Sequence, residues 1–146
     1  MKPNQNHIEI KFFDFSLPHD EVTNILGLTP THQWTKGEEH FVGPKRNKKI
    51  RKENYWGYEN HTETNDFIGD QIEDFLKTIV IPRTSKIKEL TDRFHGEFSI
   101  VQYLYDGCNP GLYFDKRQIK ILNDCGLELN IDIYVLSDND DNKKER

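Results

Sequence analysis

The sequence predicts one α+β domain, a mostly antiparallel sheet with helices packed on one face. Three observations predict it. Segments with apolar residues at every second position alternate along the chain with segments whose apolar residues recur every three or four. The length, 146 residues, suits one domain of ordinary size. The element order, β-α-β-β-α-β with one further α-β unit, begins as ferredoxin-like folds do.

Residues 8–15 read as the first strand, with Ile8, Ile10 and Phe12 on one face and Glu9, Lys11, Phe13 and Phe15 on the other. Residues 18–26 read as a short helix. Ser16 is available as its cap, Pro18 fits the first turn, and Asp20 and Glu21 complement the positive helix end. Gly27 can close this helix in the left-handed conformation, and Thr29-Pro30 forces an extended exit. Two strands follow, residues 31–37 and 55–59, with Trp34, Trp56 and Tyr58 available for cross-strand packing. The connection between them, residues 38–54, is long enough to suggest a mobile or functional loop.

Residues 65–80 carry an amphipathic stripe of Phe67, Ile68, Ile72, Phe75, Leu76 and Ile79. Pro82 is expected to break that helix, leaving a second helical piece over 85–94 that Gly96 ends. Residues 98–105 form a strand, and 106–111 a turn-rich loop. Residues 115–125 are the best-marked helix. Asp115 and Gln118 have capping-box spacing, Phe114 and Ile119 have that of a hydrophobic staple, and Gly126 closes it. The last strand, 127–136, is expected to send Leu129, Ile131 and Ile133 into the core and Glu128, Asn130, Asp132 and Tyr134 to the opposite face. The expected domain spans residues 1–136, and residues 137–146 form a polar tail expected to fray.

Composition narrows the class. Only 34% of residues are hydrophobic and the mean hydropathy is −0.84, but 12% are aromatic, and rings bury much area each. A net charge of −5 argues against general nucleic-acid coating, which excess positive charge drives. Cys108 and Cys125 lack metal or redox spacing and suggest no disulfide framework. No apolar run approaches the roughly 20 residues of a membrane span, and the N-terminus has no signal-peptide core. The expectation is a cytoplasmic protein without a membrane partner.

Some segments resemble a known family. Ile25-Leu26-Gly27-Leu28-Thr29-Pro30-Thr31 and Trp34-Thr35-Lys36-Gly37-Glu38 resemble the front of the bacterial domain-of-unknown-function family 4279. Trp56-Gly57 resembles its central tryptophan strand, and Gly126-Leu127-Glu128-Leu129-Asn130-Ile131-Asp132-Ile133-Tyr134 its closing strand. The resemblance runs from about Ile8 to Val135; the basic insert at 38–54 and the paired helical pieces around Pro82 depart from the usual pattern. It implies the fold and a bacterial origin, and it brings no catalytic residue with it.

Five constellations are candidates for chemistry. Trp34 and Lys36, with Trp56 and Tyr58 on the partner strand, can hold a planar or anionic small molecule; the competing explanation is hairpin packing around a turn. Lys45, Arg46, Lys48, Lys49, Arg51 and Lys52, next to Tyr55 and Trp56, form a basic loop suited to single-stranded nucleic acid or an acidic protein, or simply a solvated loop. Glu128, Asn130, Asp132 and Tyr134 share one strand face, where paired carboxylates can do acid–base work or coat a wet sheet. His32, His40 and His61 flank the hairpin without ligand spacing, so no metal is expected. Cys108 has no histidine near it in sequence to activate it.

Nucleotide-binding glycine loops and the serine-hydrolase elbow are absent, so no cofactor is expected. The residues favour a non-enzymatic interaction module, such as an immunity-type partner of another bacterial protein. A small-ligand binder or enzyme at the Trp34/Lys36/Trp56 group comes second. Nucleic-acid binding through residues 45–52 comes third.

Overall fold

The computed structural model describes residues 2–105, 107 and 109–137. Strand β1, Gln5–Phe13, lies at the centre of a five-stranded sheet. It pairs antiparallel with β5, Tyr55–Glu63, on one side and β6, His95–Tyr105, on the other. The short strand β2, His32–Trp34, adds to the outside of β5. Strand β7, Glu128–Leu136, lies parallel to β6 as the other edge. Parallel neighbours need a crossover, and helix α4, Lys116–Cys125, provides it. The order β2-β5-β1-β6 is the ferredoxin-like arrangement expected from the sequence, and β7 is the added strand.

Helices α1 (His19–Leu26), α2 (Ile68–Phe75), α3 (Thr84–Thr91) and α4 send their buried residues into one cluster with Ile8, Ile10, Phe12, Trp56, Phe98 and Ile100 of the sheet. Burying each of these large side chains is worth about 1.5–3 kcal/mol. The predicted α+β class and one-sided helix packing therefore hold. So do the left-handed Gly27 and Gly126 closures and the Asp115/Gln118 capping box. No helix among the described residues is long and apolar enough to cross a membrane.

The structure corrects several expectations. The first strand ends at Phe13. Asp14 adopts φ +50°, and that turn carries Phe15 across into the core. The cap position of α1 is Pro18, and no side chain, Ser16 included, caps that helix. Residues 38–54 are a hairpin rather than a loop. Its strands β3, Glu39–Val42, and β4, Asn47–Ile50, pair as a separate two-stranded sheet.

Pro82 does not divide the helical path. The chain widens into a π-turn at Leu76–Val80, tightens through Ile81–Arg83 and enters α3 without a gap. Pro82 has no N–H for the carbonyl of Thr78 four residues earlier. The Arg83 guanidinium supplies donors instead, to Thr78 O at 3.4 Å and Ile79 O at 3.1 Å, while its Nε donates to Leu26 O at 2.8 Å. Gly96 lies inside β6 rather than at a helix end, where a Cβ would lie 2.8 Å from the Thr91 methyl.

The last strand needs the largest correction. Its apolar residues do point to the helix-covered side, since Leu129 and Ile131 align with the buried Phe98 and Ile100. Only Leu127 is buried. Leu129 is 42% exposed, Ile131 36%, Ile133 50% and Val135 65%. Alternation sets the direction of a side chain, but a helix must also lie above it, and α4 covers only the start of β7.

Candidate functional site

Among the described residues, the other sheet face carries no helix. Strand alternation places His7, Glu9 and Lys11 there from β1, with Glu59 and His61 from β5 and Glu97, Ser99 and Tyr103 from β6. In register, Glu9 lies between Glu59 and Ser99, and His7 between His61 and Val101. His7, Glu9, Lys11, Glu59, Ser99 and Tyr103 line a depression of about 220 Å³. His61 stacks on His7 with ring centroids 4.3 Å apart, and the Tyr103 ring meets His7 edge-on at 5.7 Å.

The two carboxylates of this site have opposite surroundings. Glu59 bonds His7 Nδ1 and, at 2.6 Å, His32 Nε2. The hydrogen bond from His7, helped by His32 and opposed by burial, brings its pKa down to about 2. An ionised carboxylate only accepts, so both imidazole nitrogens donate to it. Glu9 is pushed up to about 7, chiefly by burial and further by Glu59, against the pull of Lys11 and the two histidines. Its Oε1 is buried without a hydrogen-bond partner among the described residues, and so is Nε2 of His7. Lys11 is directed to Glu97, 3.7 Å away.

Room for the Glu9 carboxyl comes from a missing side chain. A Cβ on Gly57 would collide with the Glu9 carboxylate and lie 2.8 Å from the Tyr55 hydroxyl. The result is a small floor with a carboxyl that can exist in either protonation state near neutrality, on the same sheet face as an imidazole nitrogen that has no partner among the described residues. Each buried unsatisfied group costs about 1–3 kcal/mol, which a bound donor group would recover.

The other cavities differ. A groove of about 370 Å³ beside α2 is lined by Asp66, Asp70 and Asp74 with Phe67. Its half-buried Gln71 Oε1 already accepts from Asn6 Nδ2 at 3.0 Å and Thr62 Oγ1 at 2.7 Å. His95, Glu97 and Glu128 bring potential ligand atoms within 4.8 Å of one another at the β6–β7 edge. That group has the chemistry to hold a metal ion, but Glu97 already faces the Lys11 ammonium, which opposes a cation.

The structure separates the residues singled out from the sequence. Trp56 is fully buried, with its indole N–H donating to Thr23 Oγ1 at 3.0 Å, and Tyr58 packs toward Phe75 on the same side. Trp34 lies on the opposite face, stacked on Tyr55 at 3.9 Å, and Lys36 is exposed. The expected Trp/Lys pocket is therefore not assembled, because residues 56 and 58 alternate away from Trp34. The cation over Trp34 is Arg51, at 3.9 Å, rather than Lys36.

The other basic residues are spread along the hairpin. Lys45 and Arg46 lie in its turn, Arg46 over the Phe41 ring, Lys48 pairs with Glu39 at 2.6 Å, and Lys49 and Lys52 are exposed. Glu128, Asn130, Asp132 and Tyr134 do share the open face, with Tyr134 stacked on Tyr103 at 5.2 Å. His32 and His61 belong to the Glu9 site, while His40 is on β3. Cys108 lies outside the described residues.

Sequence reasoning missed His7, Glu9 and Glu59. The signal was in β1, where His7, Glu9 and Lys11 occupy every second position between Asn6, Ile8, Ile10 and Phe12. A central strand with ionisable residues on one side implies a wet, chemically decorated sheet face.

Residues 4–136 match the family described as domain of unknown function 4279, and the chain belongs to it. No curated protein and no solved structure matches the chain.

Proposed function

We propose that this member of a family of unknown function is a binding module that takes a protein partner on the open sheet face, with a cationic side chain of the partner seated against Glu9. The observation that carries this reading is the buried Glu9 carboxyl, with an oxygen that has no partner, at the floor of an open depression. A lysine or arginine supplies the missing donors and a charge to match. The histidine and tyrosine rings at the rim suit its aliphatic stem and its cationic head.

Size favours a side chain over a free metabolite. Pockets for small molecules run to about 300–1,000 Å³, and this one is about 220 Å³. The chain's net charge of −5 would steer a basic partner toward it. An immunity-type role, in which a bacterial cytoplasmic protein neutralises a basic toxin by surface contact, is the form of this reading we favour.

The test uses the tagged full-length chain as bait in lysate of its native host, with Glu9→Gln and Lys36→Ala as companions. A protein partner should co-purify in stoichiometric amount with wild type and with Lys36→Ala. Glu9→Gln should weaken that complex by roughly tenfold or more, as loss of one member of a buried charge pair does. Wild-type affinity should rise between pH 6 and pH 8, because the cation binds the ionised carboxylate. Equal capture by Glu9→Gln, or no stoichiometric partner for any bait, would overturn the reading.

A further inference from the structure

We infer that this protein forms a two-fold dimer through its β7 edge, the second copy pairing antiparallel with the first about Ile131. This inference is independent of the Glu9 site. Strand β7 is nine residues long and, among the described residues, ends the sheet and is paired on one side only. Leu129, Ile131, Ile133 and Val135 leave an apolar stripe along it, all on one side. Long apolar edges recruit other strands, and soluble proteins ordinarily blunt them with charge, proline or a covering element. On this side of β7 none of the residues from 129 to 135 is charged or proline.

The occupant is identified by how the strand matches itself. Antiparallel pairing about Ile131 sets Leu129 opposite Ile133 of the second copy, and Leu127 opposite its Val135. On the other side it sets Asp132 opposite Asn130 and Glu128 opposite Tyr134, so no carboxylate faces another. A centre at Asn130 or Asp132 would also be symmetric, but the former sets Glu128 opposite Asp132 and the latter sets Asp132 opposite itself. Like charges directly opposite are destabilising.

The helix layer gives an independent match. Helix α4 covers only the start of β7, and it leaves an apolar notch of about 230 Å³ lined by Ile119, Leu122, Asn123, Leu127 and Leu129. Ile119 is 55% exposed at this notch. The two-fold brings the uncovered end of the second strand, Ile133 and Val135, beside it. Each copy then covers the half of the other's stripe that its own helix does not reach, as an isologous interface requires.

Sedimentation of the full chain, with cross-linking, tests this. Wild type should sediment at twice its 17.3 kDa chain mass, and Ile131→Lys as a monomer that keeps the wild-type circular dichroism spectrum, since residue 131 is partly exposed in the monomer. In a Cys108→Ser background, Ile131→Cys should form a disulfide with its symmetry mate. Directly opposed antiparallel residues lie about 4.5–5.5 Å apart at Cα, within disulfide reach. Asp132→Cys, offset from its mate, should not cross-link. A monomeric wild type at its highest soluble concentration overturns the inference, including one that binds a foreign strand instead. A dimer that survives Ile131→Lys without the 131–131 disulfide also overturns it.

Discussion

Asn6 and Glu9 are three residues apart on the same strand and face opposite sides of the same sheet, and their polar groups are treated in opposite ways. Asn6 is buried on the helix side, where its Nδ2 donates to Gln71 and its Oδ1 accepts from Gln102 at 3.2 Å. Thr62 completes the Gln71 acceptor. Glu9, on the open side, has one oxygen with no partner among the described residues, and Nε2 of His7 on the same face has none either. A satisfied buried network fixes structure, whereas an unsatisfied one beside solvent has capacity left for something else. The contrast separates a polar group kept for folding from one available for binding.

Substitutions can break this contrast from either side. Asn6→Leu should have the largest effect, a loss of about 3 kcal/mol in urea unfolding, because it leaves the buried Gln102 amide without its acceptor and removes one donor from the half-buried Gln71. Glu9→Gln should act in the opposite direction and depend on pH. The folded state holds the Glu9 proton up to about pH 7, against an ordinary value of 4.5. Wild-type stability from this group is therefore complete below about 4.5 and is lost as pH rises through 7. Glutamine has no such loss. The variant should match wild type near pH 4 and exceed it by about 2–3 kcal/mol at pH 8; equal stability at both pH values would show that Glu9 is not desolvated. Lys48→Ala, which breaks an exposed pair with Glu39 on the hairpin, should stay within about 0.5 kcal/mol in the same assay.

The sheet was legible because its signals are local. The alternation of Ile8, Ile10 and Phe12, the Gly27 and Gly126 stops and the Asp115/Gln118 box each require only a few neighbouring residues. What escaped depended on distant partners. The hairpin at 39–50 has short, polar strands that, among the described residues, pair only with each other. The continuity of the helix past Pro82 depends on Arg83 reaching back to carbonyls. The apolar side of β7 is legible as a direction, but whether α4 extends over it is not.

The same limit applies to the site. Trp56 and Trp34 looked like one aromatic group, yet the pleat sends them to opposite faces. His7, Glu9 and Glu59 come from strands some fifty residues apart and meet only through the β1–β5 register. Glu128 and Asp132, read as candidate paired carboxylates, lie on the same open face.

The Arg83 clasp has a consequence for how the helix layer is held together. One planar group ties the end of α1, at Leu26, to the turn between α2 and α3. The ends of α1 and α2 and the start of α3 thereby meet at a single joint. In the complex proposed above, this joint lies in the helix layer behind the sheet, on the side away from the face that the partner would meet. An ammonium in place of the guanidinium would lack the fork that serves carbonyls in several directions at once.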